Sequence, residues 1–216
     1  MANTDSRAWN ALESWSSTAF LFAGGLLFLF VVLSGLSAFT NVLGEGAVVG
    51  AAVVGSGLFG LILAVIGLLG LYPQLSESAP RLSRGGVGAL AVALTGILVV
   101  IGTLAIVGPP EAPGDVPSFA PPIFISSGIL IMVGYALFAV ASIRTETPSR
   151  RIGLLLAVPG IVLLWHYIAL AAFGSQHVFE IIDYTVISTT FLTIGFLLRT
   201  ESVSVTSTEP PPDSTP

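Results

Sequence analysis

Long apolar runs alternate along this chain with short polar or proline-rich breaks. Six runs stand out, near Ala19–Phe39, Ala47–Leu71, Val87–Val107, Ile123–Ile143, Ile152–Phe173 and Phe179–Leu198. A helix of roughly 20 residues spans the hydrocarbon core of a bilayer, so each run predicts a transmembrane helix. A spanning β-barrel would alternate apolar and polar positions in segments of about ten residues, and these segments do not. The expected fold class is therefore all-α, a polytopic integral membrane protein built as a bundle of six transmembrane helices.

The breaks supply an orientation. Arg7 precedes the first run, Arg81 and Arg84 lie between the second and third, Arg144, Arg150 and Arg151 between the fourth and fifth, and Arg199 follows the sixth. The other three breaks hold no arginine. A six-span path puts every basic residue on one side, and the positive-inside rule makes that side the cytoplasm, with both termini there. Residues 1–18 form an interfacial cytoplasmic segment, with Trp9, Leu12 and Trp15 at helical spacing. Residues 19–199 form the membrane domain. Residues 200–216, rich in Ser, Thr, Pro and acid, read as a disordered cytoplasmic tail. The external stretch from Pro109 to Pro122 reads as a stiff proline-rich connector.

Composition agrees and adds one feature. Of the 216 residues, 54% are hydrophobic and 9% charged, too little charge for an ordinary soluble domain. The absence of cysteine excludes disulfides, thiolate nucleophiles and Cys-ligated metal. The net charge is −5 and every basic residue is arginine. An acidic, lysine-free chain fits a salt-rich cytoplasm of the kind extreme halophiles, haloarchaea among them, maintain. No basic patch suggests nucleic acid. The partners expected are the lipid bilayer and, where the chain assembles, further copies or other membrane subunits. The expected location is the cell membrane.

Spanning helices associate through close packing of small residues. Gly46 and Gly50, then Ser56, Gly60 and Ala64, recur at i,i+4 in the second run, and Ala89, Ala93 and Gly96 nearly so in the third. These stripes predict that spans two and three form the tightly packed centre. Pro159 and Gly160 inside span five predict a kink, because proline removes a backbone hydrogen bond.

Charged residues inside spans are costly and mark candidate sites. Spans five and six carry His166, His177, Glu180 and Asp183, with Tyr184 beside them. At 1.5 Å per residue, His166 and Asp183 both lie roughly 10 Å below the external turn, so His166 can face Asp183 or Glu180. Three readings compete. In the first, the cluster pins spans five and six together in a non-enzymatic subunit, scaffold or sensor, with no cofactor and no bound metal. In the second, it moves protons or cations, as in a small transporter or channel-like protein. In the third, it ligates a metal or a haem. A stripe of Thr185, Thr189 and Thr193 either bonds its own helix or extends a polar path inward. No GxSxG, SxxK or phosphate-loop motif points to a hydrolase, and no catalytic residue is expected.

Overall fold

The computed structural model describes residues 3–39, 47–107, 117–174 and 177–206, with side chains over 11–39, 49–104, 106, 117–172 and 178–200. These residues are almost wholly helical. In chain order the helices are α1 (Asn3–Phe39), α2 (Ala47–Gly70), α3 (Tyr72–Ser78), α4 (Pro80–Val107), α5 (Ala120–Thr145), α6 (Arg150–Phe173) and α7 (His177–Thr206). Six of them, all but the short α3, are long and apolar enough to cross a membrane.

Several helices outrun their apolar segments. α1 is continuous from Asn3, about 55 Å long and well beyond the ~30 Å hydrocarbon core. Glu13 and Ser16 tie this helix to the residues that end α2 and form α3. Ser16 Oγ donates to the Gly67 carbonyl at 2.9 Å, and Gln74 Nε2 donates to Glu13 at 2.8 Å. α5 starts at Ala120 because Pro121 and Pro122 occupy its first turn, where no intrahelical N–H is required. α7 stays helical to Thr206, inside the segment expected to lack structure; a ladder nucleated in the membrane extends with one hydrogen bond per added residue. Residues 207–216 lie outside the described part, as do 108–116 of the proline-rich connector.

The spanning helices form a ring in the order α2, α1, α7, α6, α5, α4. α2 and α4 close it only loosely, since they scarcely touch. This corrects the expectation that the second and third spans pack together. α3 separates them: its Leu75 is fully buried, and the helix touches α1, α4 and α5 as well as α2. The small residues of each span serve another neighbour. A Cβ on Gly60 would stand 2.8 Å from Leu27, and one on Gly67 2.9 Å from Phe20, so α2 lies on α1. A Cβ on Gly96 would stand 2.6 Å from Ser127 Oγ, so α4 lies on α5. Ala64 and Ala93 are fully buried, Ala89 is half-buried, and Ser56, buried, donates to its own helix at Val53. Gly50 faces open space, and Gly46 lies outside the described residues.

A close backbone approach also joins the first and last spanning helices. Gly24 of α1 meets the Leu192 backbone, Gly195 of α7 meets the Ser17 carbonyl, and Ser188 Oγ donates to the Gly24 carbonyl at 2.9 Å. Beyond the αL residue Glu146, a short turn returns the chain to α6, where Ser149 caps the helix by accepting from the Ile152 N–H. Gly153 then sits against the Ile143 backbone. α6 remains one helix through Pro159. Arg81, Arg84, Arg144, Arg150, Arg151 and Arg199 all fall at the same end of the bundle.

Candidate functional site

α6 and α7 are antiparallel neighbours because only residues 174–176 separate them. Their seam is the least intimate of the well-formed ones. Both glycines inside α6 face elsewhere: Gly153 toward Ile143 and Gly160 toward Met132 and Tyr135, all on α5. Gly195 of α7 faces α1. No glycine draws these two backbones together, so side chains bridge them.

The bridge is His166 to Asp183. Their Nδ1 and Oδ2 are 2.9 Å apart. In the tautomer that carries its proton on Nδ1, His166 donates to Asp183 Oδ2. The histidine side chain is 22% exposed and the carboxylate side chain 7%. Asp183 is therefore enclosed by protein, while the imidazole sits at the seam's edge. Rise per residue places both about 10 Å inside the helix ends that flank the turn.

Aromatic rings frame the pair. Tyr167 and Tyr184 present edges to His166 with centroids 6.1 and 6.5 Å away. Tyr184 in turn packs edge-on against Phe30 of α1 at 4.9 Å. The Tyr167 hydroxyl lies against Gly128 of α5, where any side chain would collide with it. His166, Asp183 and Tyr184 are thus brought together. Glu180 is half-buried one turn before them on α7. His177 opens α7, but its side chain lies outside the described residues.

Three features limit what this arrangement can do. Among the described residues, no three His, Asp or Glu side chains converge as a metal-ligand group. The threonine stripe does not lead inward: Thr185, Thr189 and Thr193 each donate to the carbonyl four residues earlier, and Thr189 and Thr193 face outward. Inward of the pair, α7 presents Ile187, Phe191 and Ile194 to the apolar core, in which Phe191 stacks on Tyr135 and lies tilted against Phe20.

Sequence reasoning missed the residues that set these positions. Gly24, Gly195 and Ser188 hold α1 to α7, and Gly128 admits Tyr167. Ser17 and Gly24 lie seven residues apart, as do Ser188 and Gly195, a heptad signal shared by two helices at opposite ends of the chain. Comparison with protein-family models, with curated proteins and with solved structures finds no match.

Proposed function

We propose that this chain is a non-enzymatic multi-pass protein of the cell membrane, a subunit, scaffold or sensor, in which His166 and Asp183 form a structural clasp. The observation that carries this reading is the 2.9 Å pair spanning the one well-formed seam that lacks a glycine contact among the described residues. A transmembrane seam without close backbone approach gains little from lipid exclusion, so a hydrogen-bonded pair supplies the missing attraction. The arginine-bearing end faces the cytoplasm, and the clasp lies in the outer half of the membrane.

A proton- or cation-coupled transporter would need a polar route leading on from Asp183. The apolar core inward of it and the self-bonded threonines argue against one. The test is flux in proteoliposomes under imposed proton, sodium and potassium gradients. The clasp reading expects no gradient-driven flux in the wild type, and Asp183→Asn, whose amide oxygen still accepts from His166, should fold with little loss of stability. Flux in the wild type that Asp183→Asn abolishes would replace this reading with the transporter.

A further inference from the structure

The arginine-bearing end of the bundle holds a hollow of about 330 Å³, where the α3–α4 corner meets the end of α5. Ala79, Pro80, Arg81 and Leu82 form one side, and Arg144 and Thr145 the other. No described carboxylate pairs with either arginine. Glu77 and Glu146 adjoin the lining without joining it. Over the two corners, residues 77–84 and 144–151, arginines outnumber glutamates five to two, in a chain whose net charge is −5. The hollow is thus a basic place on an acidic protein.

Its depth and its wall select the ligand. α4 and α5 run 28 and 26 residues, about 40 Å each. That length matches a bilayer of ~40–45 Å counted with its headgroups, not the ~30 Å hydrocarbon core alone. Arg81 is the second residue of α4 and Arg144 the last but one of α5, so both side chains start at headgroup level. Pro80 has no N–H, and the α4 ladder begins with Ser83 donating to the Ala79 carbonyl at 3.1 Å. The Arg81 and Leu82 amides therefore have no bond within that ladder and add to the donors on this side. Guanidinium groups bind phosphate oxygens two at a time, which a single ammonium cannot do. A cavity of about 150 Å³ takes one benzene, so the hollow has room for a phosphate and the carbons esterified to it. Ala79, Pro80 and Leu82 supply an apolar wall for those carbons.

We propose that this hollow binds the phosphate headgroup of an anionic phospholipid, drawn from the leaflet at the arginine-bearing end and clamped between Arg81 of α4 and Arg144 of α5. Basic pockets between spanning helices recognise anionic headgroups in this way. A lipid is favoured over free phosphate because the bilayer already holds its headgroups at this depth. The proposal rests on the membrane-spanning reading and is independent of the clasp.

The test titrates the full chain in mild detergent with phosphatidylglycerol, with phosphatidylcholine of the same acyl chains, and with inorganic phosphate, and counts bound molecules by native mass spectrometry. The first phosphatidylglycerol should bind about fivefold or more tightly than the first phosphatidylcholine, and inorganic phosphate should not displace it. Arg81→Gln and Arg144→Gln should each weaken phosphatidylglycerol about fivefold, the worth of one arginine near an anionic surface, and leave phosphatidylcholine unchanged. Arg199→Gln removes an equal charge on α7, two helices round the ring from α5 and beyond the ~8 Å Debye length of ordinary salt, and should leave both lipids unchanged. Equal losses in all three variants would overturn the hollow as the site and leave general charge attraction. Absence of a preference for phosphatidylglycerol would overturn the proposal outright, and displacement by inorganic phosphate would replace the lipid with a soluble anion. All three arginines are exposed, so the variants should fold as the wild type does.

Discussion

Gly24 and Gly25 are adjacent in α1 yet face different surroundings, which makes them a matched pair. A Cβ at Gly24 would stand 2.7 Å from Leu192 Cγ and 2.8 Å from both the Leu192 nitrogen and the Ser188 carbonyl oxygen. Two of these are backbone atoms of α7 and cannot swing aside, so α1 and α7 must separate. Overpacking of this kind costs about 1–3 kcal/mol. Separation also stretches the 2.9 Å hydrogen bond from Ser188 to the Gly24 carbonyl, and interhelical bonds in membranes are worth about 0.6 kcal/mol on average. A Cβ at Gly25 meets nothing within 4 Å, and alanine there gains up to about 1 kcal/mol of helix propensity. The propensity gain is common to both variants and cancels, so Gly24→Ala should be less stable than Gly25→Ala by about 1.5–3.5 kcal/mol. At about 2–4 °C per kcal/mol for a chain of this size, thermal unfolding in mild detergent should separate their midpoints by roughly 3–14 °C. Equal midpoints, or a lower one for Gly25→Ala, would refute the α1–α7 packing described above.

Two further outcomes follow. Thr189→Val and Thr193→Val remove hydroxyls that only back-bond within α7 on its outward face, so each should shift stability by less than about 0.5 kcal/mol in detergent unfolding; a loss several times larger would place these residues in a functional or packed position. The lysine-free, −5 composition leads us to expect an unfolding midpoint that rises steadily from low to multimolar KCl as carboxylate repulsion is screened; a flat or falling salt response would remove the inference of a salt-rich cytoplasm.

The six spans were legible because bilayer thickness and the rise of a helix, about 1.5 Å per residue, convert apolar run length into a span with little ambiguity. The closeness of His166 and Asp183 was legible for a related reason: a short turn forces neighbouring antiparallel helices, and equal distances from that turn imply equal depth. Neighbours around the ring were not. The small-residue stripes of spans two and three suggested that these pack on each other, but a stripe shows that a helix has a close partner, not which one. α3 carries the chain sideways through its buried Leu75, so α2 turns Gly60 and Gly67 to α1 while α4 turns Gly96 to α5. The α1–α7 contact joins residues 164 positions apart at Gly24 and Ser188, beyond the reach of any local pattern.

Whether His166 and Asp183 hold two helices together is tested most directly by a double-mutant cycle. His166→Ala, Asp183→Ala and the double variant would be unfolded reversibly in the same detergent. Membrane hydrogen bonds measured this way reach about 1.7 kcal/mol and average about 0.6; a 2.9 Å pair with an enclosed carboxylate belongs toward the upper end. A clasp predicts a coupling of about 1–1.7 kcal/mol, with His166→Ala the costlier single change because it strands the buried carboxylate. Additivity within about 0.3–0.5 kcal/mol would mean that the two side chains do not stabilise one another, and the clasp would be wrong.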